Sequence, residues 1–567
     1  MRVPTGSVKV LLEFLNKGTK HPMFNIFKIT LLIFMIFIIS DGCVQNKSRI
    51  GTTGYELQKQ RGENNLKIAF IHLNVQHKNL EANRHNIIEL NREAAKRGAD
   101  LILNTELAVS GYSFSSREDI AKFVISKDDG LLTSLSEIAK EYAAYIIIGL
   151  AERDEATWIY YNSAIAVGPD GRLICTCRKI NAESRWSCPG RAGQNRFFDT
   201  PWGRVGLLIC SDTYYGLLPR SMALKGVDLL LVPANWPPGD LDPGDLWRSR
   251  AMENGFFLAA CNRTGKDLTM DCRKSASYLF DPAGKLLFEG RNEDSSIFMA
   301  EIPLNKEGKI AGIKRQTILA KRIPFFYQSI CLDRRLISDL TDYYELPQPG
   351  ILNLEFVVPE DGKFDLAVME TNMIKYRNKY PLFYLLPEIS PDDFDLSKIK
   401  KLAEKYKAGF AVAVKHDKSM IDYLLITSEK TLKYTTGDSR QDREFPFPII
   451  KFGTAKIAMV PFDYFEHPEL ALALAKTGCD LVLLPMEHLD SQKRLLARIK
   501  TTENIAVAVC ADNGAALYMP PEGHLLWEKK SFKGTGIFSC KVDTAKTRQK
   551  SFQDRVDFEL ILEAGGP

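Results

Sequence analysis

The sequence predicts two tandem copies of one α/β domain, and two observations carry that reading. From residue 66 onward, short apolar strands alternate with amphipathic helices, the pattern of a layered α/β domain. The tail of this pattern then recurs about 250 residues later with its order and spacing kept. The 567 residues suit two or three domains rather than one. Apolar residues make up 45% and charged residues 26%, ordinary values for folded domains. They exclude global disorder, collagen-like repeats and a multi-span membrane protein. The balance of 75 basic to 70 acidic residues leaves a net charge of +5, too weak to argue for nucleic acid.

The amino terminus reads as a targeting segment over 1–43. The run Ile29–Ile39 is apolar apart from Thr30, and Lys17, Lys20 and Lys28 precede it. It is too short to span a bilayer comfortably but has the length of a signal-peptide core. Ser40-Asp41-Gly42-Cys43 then resembles a bacterial lipoprotein processing site, with Met23 as an alternative start. The other reading is an uncleaved short anchor. Either way the bulk of the chain is expected outside the cytoplasm, held at a membrane. Residues 44–65 are polar and form a tether.

The first copy is expected over 66–330. Leu66–Leu73 is a strand, Leu80–Arg97 a helix and Asp100–Asn104 a strand. Leu131–Tyr145 is a helix, followed by a strand over Tyr145–Leu150. Strands follow at Asn162–Val167, Leu173–Cys177 and Arg204–Cys210, then a helix over Leu217–Lys225 and a strand over Asp228–Pro233. The second copy, 351–567, follows a linker at 331–350. Val205–Asp212 rhymes with Lys456–Asp463, and Ala223–Pro233 with Ala475–Pro485. Glu253-Asn254 recurs as Glu503-Asn504, and Lys321–Phe325 as Asp554–Phe558. The second copy is expected to lack the long helix between its first two strands, with Asp365–Glu370 running directly to Leu382–Pro387.

Of the eleven cysteines, those after Cys43 lack the spacing of a metal site. They read as buried small hydrophobes, with a pairing of Cys188 to Cys175 or Cys177 left open.

Three polar residues stand just past strand ends, where open α/β folds gather their sites. They are Glu106, Lys179 and Cys210. Cys210 lies between a buried strand and a helix, like a nucleophile elbow. A thiol becomes nucleophilic when a base takes its proton or a cation stabilises the thiolate. Glu106 is the candidate base, and Lys179 the candidate cation and oxyanion donor. The N–H of Ser211 is a natural second donor.

The order Glu106, Lys179, Cys210 resembles the nitrilase superfamily of carbon–nitrogen hydrolases. The local contexts agree: Glu106-Leu-Ala-Val-Ser-Gly-Tyr112, Tyr161-Asn162-Ser163-Ala164, Arg178-Lys179, Ile209-Cys210-Ser211-Asp212 and Arg250-Ala-Met-Glu253-Asn254. The resemblance covers about 66–327 fully and about 363–560 in degraded form. It implies a four-layer α-β-β-α sandwich. It also implies that Glu183, six residues before Pro189-Gly190, orients Lys179 and holds the leaving amine. Asn235 and Trp236 resemble the stretch that lines the substrate pocket. One departure follows the nucleophile: relatives carry an aromatic-Pro-Glu where this chain has Tyr215-Gly216-Leu217.

Aligned with the first copy, the second places Glu388 on Glu106, Lys433 on Lys179 and Pro461 on the nucleophile, so it is expected to be catalytically dead. Tyr464–Glu469 keeps the usual pattern after the nucleophile better than the first copy does. Superfamily domains pair as dimers, so the second copy is expected to occupy the partner position, as an intramolecular pseudo-dimer or within a homo-oligomer. The expected activity is hydrolysis of an amide or N-carbamoyl group on a small molecule through a cysteine acyl-enzyme, with no metal or organic cofactor. Two alternatives stay open: nitrile hydrolysis on the same fold, and a non-catalytic binding module, which the altered loop favours.

Overall fold

A computed structural model of the chain describes residues 65–333, 339–360, 364–376, 381–436, 445–523, 527–550, 552 and 555–563. The expected targeting segment and all of the expected tether except Asn65 lie outside the described residues. Among the described residues no helix is long and apolar enough to cross a membrane.

The first copy holds twelve strands in two sheets. The first sheet contains β1 (Asn65–His72), β2 (Leu101–Asn104), β3 (Tyr145–Arg153), β4 (Tyr160–Val167), β5 (Leu173–Arg178) and β12 (Ser296–Pro303). The second contains β6 (Phe197–Thr200), β7 (Gly203–Leu207), β8 (Leu229–Pro233), β9 (Phe257–Cys261), β10 (Ser277–Phe280) and β11 (Leu286–Gly290). Their spatial orders are β12-β1-β2-β3-β4-β5 and β11-β10-β9-β8-β7-β6.

Successive side chains of a strand point to opposite faces, and β1 is apolar on both. Ile68 and Phe70 enter the core between the sheets, where Phe70 stacks on Phe288 of β11 at 5.1 Å. Ala69 and Ile71 pack instead with α1 (Leu80–Lys96) and α2 (Gly130–Tyr142). Helix α1 starts where the Asn79 side chain accepts from Ala82 N, and it buries Ile87, Ala94 and Ala95. Helix α2 stops at Tyr142, short of the expected Tyr145, because Ala143 turns left-handed (φ 54°). Outside the second sheet lie α3 (Leu217–Leu224) and α4 (Pro243–Asn254). The layers are therefore helix, sheet, sheet, helix.

The second copy repeats this strand for strand. One sheet holds β13 (Ile351–Val358), β14 (Leu382–Ile389), β15 (Gly409–Lys415), β16 (Ile421–Ile426), β17 (Thr431–Thr435) and β24 (Gly536–Asp543). The other holds β18 (Ile449–Phe452), β19 (Ala455–Met459), β20 (Leu481–Pro485), β21 (Ala506–Ala511), β22 (Gly514–Tyr518) and β23 (Lys529–Lys533). The orders β17-β16-β15-β14-β13-β24 and β18-β19-β20-β21-β22-β23 match those of the first copy. A helix, α5 (Leu366–Tyr376), does separate β13 from β14, contrary to the sequence reading. It buries only Met369 and Met373 and leaves Val368 and Ile374 exposed, so its apolar periodicity is blurred. Helices α6 (Leu396–Tyr406), α7 (Pro468–Lys476) and α8 (Ser491–Ile499) complete the copy, and α9 (Phe558–Leu562) lies near its end.

Strand pairing also corrects two expected correspondences. Lys179 N donates to Asn162 O at 2.8 Å, and Thr436 N donates to Ile421 O at 3.0 Å. Asn162 pairs with Ala151, and Ile421 with Lys415. Thr436 therefore stands at the Lys179 position. Lys433 faces Leu424 earlier on the strand, and its ammonium pairs with Asp422 at 2.7 Å. Arg204 N and Lys456 N donate to the equivalent carboxylates of Asp228 and Asp480 at 2.9 and 2.8 Å. Counting forward from them puts Phe462, not Pro461, on Cys210. Pro461 takes the place of Ile209, the residue that precedes the turn in the first copy. Glu388 does hold the Glu106 place: Glu106 N lies 3.4 Å from Ala234 O, and Glu388 N lies 3.2 Å from Met486 O. Its cation is Lys415, at 3.0 Å.

The two copies pack through equivalent helices, α3 against α7 and α4 against α8, and each copy's terminal segment reaches across. Residues Pro324–Cys331 of the first copy lie on α7, and α9 of the second lies on α3. The expected linker carries a short helix, Leu340–Tyr343, and buries Leu346. Buried charges cross the seam. Glu469 takes Arg322 Nε at 2.7 Å and lies 3.5 Å from Arg220 Nε. Glu253 pairs with Arg250 at 2.6 Å and also with Lys500.

Glu503 is buried among Arg250, Glu253 and Lys500, and burial pushes its carboxyl from 4.5 up to about 7. A raised folded-state value means its contribution to stability is full below 4.5 and is lost as pH rises through 7. Glutamine mimics the protonated acid. Glu503→Gln is therefore expected to change thermal stability little at pH 5 and to raise it at pH 8, by about 3 kcal/mol at most. Melting curves at the two pH values check this.

Candidate active site

Strand β7 ends at Leu207, earlier than the expected Cys210. Residues Cys210–Thr213 instead form a single 3-10 turn. Cys210 adopts φ +44°, a left-handed conformation that costs a residue bearing a Cβ about 1–3 kcal/mol. The surroundings impose it. Asp212 Oδ1 accepts the N–H groups of Ile180 and Asn181 at 3.0 and 2.8 Å, and its Oδ2 accepts that of Ile209 at 3.3 Å. The carboxylate thereby ties the turn to the chain just beyond Lys179. Thr213 Oγ1 donates to Cys210 O at 2.7 Å.

Three charged side chains meet beside the thiol. Lys179 Nζ lies 2.7 Å from Glu106 Oε1 and 2.5 Å from Glu183 Oε1. The short spacing from Lys179 to Glu183 thus brings the second carboxylate onto the same ammonium. Asn162 Nδ2 donates to both acids, at 2.7 Å to Glu106 and 2.9 Å to Glu183. All four residues are buried. Glu106 Oε2 and Asn162 Oδ1 have no hydrogen-bond partner among the described residues. Buried polar atoms are seldom left unpaired, and an unpartnered carboxylate oxygen beside a thiol is placed to take a proton.

The environment separates the two acids. Burial, helped by the charge of Glu183, holds Glu106 above its ordinary value against the pull of Lys179. Burial acts on Glu183 too, but Lys179 and Asn162 outweigh it and hold that carboxyl below its ordinary value. Lys179 is buried yet held well above its ordinary value by Glu106 and then Glu183. Burial and then the charge of Glu106 push the Cys210 thiol well up, and Lys179 opposes them. At rest the thiol keeps its proton, Glu183 is ionised, and Glu106 is the more basic carboxylate. Two acids whose environments push them apart assume different roles.

Cys210 Sγ donates to Asn235 O at 3.8 Å, and the Asn235 amide nitrogen is buried without a partner among the described residues. Trp236 packs its ring edge-on to Trp247 at 6.2 Å. Its main chain is held by Asn262 and by Ser275, whose hydroxyl lies 2.8 Å from Trp236 O. Ser211 is half-buried and exchanges bonds with Asn181, at 3.3 Å from its hydroxyl and 2.8 Å to its carbonyl. The ten cysteines after Cys43 are all free, with Cys331 exposed and Cys188 half-buried. The pairing left open for Cys188 is therefore absent.

Sequence reasoning gave no role to Asn162, Tyr112 or Asp212. Each lies inside a motif quoted above, which was the available signal. The Tyr112 hydroxyl is raised by burial and then by the charge of Glu183, and it also feels Glu106 and Cys210. Asp267 anchors this tyrosine by accepting Tyr112 N at 2.9 Å and Ser113 Oγ at 3.0 Å.

The chain matches the carbon–nitrogen hydrolase family over residues 67–311. A nitrilase of Pyrococcus abyssi is 31% identical over 247 residues, which cover 42% of this chain and 90% of that protein. The omega-amidase NIT2 of Mus musculus is 30% identical over 41% of this chain and 85% of its own length. The crystal structure of Saccharomyces cerevisiae Nit3 aligns with 42% of this chain and 91% of its own, at 25% identity and a TM-score of 0.39. With the strand order, the buried acid–lysine–acid cluster and the strained cysteine in place, this chain belongs to the carbon–nitrogen hydrolase family, the nitrilase superfamily.

Proposed function

We propose that the first copy is an amidase-type hydrolase that cleaves an amide or N-carbamoyl bond of a small molecule through an acyl-enzyme on Cys210. The observation that carries this reading is the buried Glu106–Lys179–Glu183 cluster beside the thiol, with one Glu106 oxygen unpartnered among the described residues. The names of relatives, omega-amidase and N-carbamoylputrescine amidase, support the substrate class.

In the proposed cycle Glu106 takes the Sγ proton as the sulfur attacks the carbonyl carbon. Lys179 Nζ and the Ser211 N–H receive the oxyanion. Glu183 stays ionised and holds Lys179. The tetrahedral adduct collapses, Glu106 returns its proton to the leaving nitrogen, and the amine departs. A water then gives its proton to Glu106 and attacks the thioester. The proton passes back to sulfur as the acid product leaves. Asn235 and Trp236 line the substrate side in this proposal, and Tyr112 joins them.

A second reading, nitrile hydrolysis, is favoured by the name of the Pyrococcus relative. A panel of aliphatic amides, N-carbamoyl amines and nitriles separates the two by the products released. Turnover of amides or carbamoyl compounds, absent in Cys210→Ala, is the expected result. Turnover confined to nitriles would replace the first reading with the second. No turnover of any class would favour the binding module.

The proposal also places the enzyme outside the cytoplasm, held at a membrane by its first residues. The apolar run before Cys43 supports this. Fractionation of the full chain and of Cys43→Ala tests it, and a wild-type protein found wholly in the cytoplasmic fraction would refute it.

A further inference from the structure

Residues 210–216 join the nucleophile to α3, and the second copy holds this turn from behind. Gly216 donates its N–H to Glu503 Oε1 at 2.9 Å. Glu503 is buried, and its Oε2 has no partner among the described residues. Arg250 of α4 reaches the same turn: Nε donates to Thr213 O at 2.9 Å, and Nη2 donates to Tyr214 O. Glu253 aims this arginine at 2.6 Å, and its other oxygen takes Lys500 of the second copy. Thr213 donates its hydroxyl to Cys210 O. A run of hydrogen bonds thus leads from the degenerate copy to the backbone of the nucleophile.

The contact is one-sided. Counting from Phe462, the counterpart of Gly216 is Pro468, which has no N–H to give. A methyl group on Gly216 would come within 2.3 Å of Pro468 Cβ. Position 216 therefore needs a residue other than proline for the donor, and glycine for the close approach. The next residue shows the same complementarity. Leu217 stands opposite in register to Glu469, which the second copy uses to bind Arg322 and Arg220 of the first. A second copy of the active domain on this face would offer a leucine there and leave both arginines without that acid. The departure at Tyr215-Gly216-Leu217 thus fits the chain to its own degenerate half.

A left-handed cysteine persists only where its surroundings over-determine it. Asp212 anchors the amino-terminal side of the turn. Gly216, at the other side, precedes α3 with no side-chain cap of its own, and Glu503 supplies the acceptor there. We propose that Glu503 is a positioning residue for Cys210, holding the 210–216 turn from the second copy so that the thiol keeps its aim at Glu106. This rests on the cysteine-hydrolase reading of the site.

The test is the rate at which iodoacetamide labels Cys210 in the full chain, followed by peptide mass spectrometry with a melting curve for each protein. Wild type and Cys210→Ala come first. If Cys210 in wild type reacts no faster than exposed Cys331, the hydrolase reading fails before Glu503 is addressed. Glu503→Ala removes the acceptor, Glu503→Asp withdraws it, and Glu503→Gln keeps an acceptor oxygen without charge. Ser329→Ala removes a different hydrogen bond between the copies, 3.0 Å long and made to Ala473 O. The expected result is labelling slowed at least about tenfold in the alanine and aspartate variants and within about twofold of wild type for Glu503→Gln and Ser329→Ala. If the alanine variant does not fold, aspartate against glutamine decides on the same criterion. Equal rates across the folded Glu503 variants and wild type would overturn the proposal. So would a glutamine variant as slow as the aspartate one, which would assign the effect to charge or packing.

Discussion

Glu106→Gln is expected to lower kcat/KM by about a thousandfold or more, the span that a positioned general base supplies. The reason lies in the two oxygens of this side chain. Oε1 is engaged by Lys179 and Asn162, and a glutamine oxygen would still accept from both. Oε2 has no partner among the described residues, and in the proposed cycle it carries the proton in both half-reactions. Glutamine places an amide nitrogen there and cannot accept it. Binding should change little, so the loss belongs in kcat rather than KM. The pH profile adds a second signature. Burial raises Glu106 above its ordinary 4.5, so wild-type kcat/KM should fall as pH drops through that raised value and the base becomes protonated. Glu183 is shifted the other way and contributes nothing in that window. The residual activity of Glu106→Gln should lack this acid limb. Steady-state kinetics on a substrate found in the panel checks both points, and a profile unchanged by the substitution would remove Glu106 from the role.

The second large effect concerns stability. Lys179→Met is expected to destabilise the folded protein by about 3–5 kcal/mol, the range for breaking a buried ion pair from one side. Lys179 is the cation shared by two buried carboxylates, at 2.7 and 2.5 Å. Removing it leaves two like charges facing each other with only the Asn162 amide between them. One acid then gains by holding a proton, so the loss should be smaller at pH 5 than at pH 8. Arg97→Ala serves as the comparison, because its partner Glu93 forms an exposed pair at 2.9 Å. Such pairs are worth at most about 1 kcal/mol. Urea unfolding of the three proteins at both pH values reads the difference. A Lys179→Met protein as stable as Arg97→Ala at pH 8 would mean that the cluster is not charged as described.

The candidate site was legible because its chemistry is tied to strand ends. Glu106, Lys179 and Cys210 each follow a strand of the first copy, and charged or nucleophilic residues there stand out against apolar runs. Asn162 and Tyr112 did not stand out. Asn162 owes its place to the pairing of β3 with β4, which sets it opposite Ala151. An amide inside a strand carries no mark of bridging two carboxylates. The second copy was legible as a repeat but not in register. Pro461 and Lys433 looked like counterparts because short stretches rhyme, and the second copy has no cysteine or lysine at the matching positions to hold the alignment. Backbone pairing settles it with Phe462 and Thr436. Helix α5 was missed because two buried methionines among exposed apolar residues are a weak periodic signal. The odd loop Tyr215–Leu217 looked like a loss, and only the packing of Gly216 against Pro468 shows what it fits.

The central claim, that Cys210 is a nucleophile activated by Glu106, is tested most directly by peptide-mapped alkylation of the full chain with iodoacetamide across pH 5 to 9. Cys331 is exposed and serves as the internal reference for a thiol outside the site. The account expects Cys210, although buried, to react faster than Cys331 at neutral pH, and to fall behind it in Glu106→Gln. Labelling of Cys210 slower than Cys331 in wild type, or unchanged by Glu106→Gln, would contradict it.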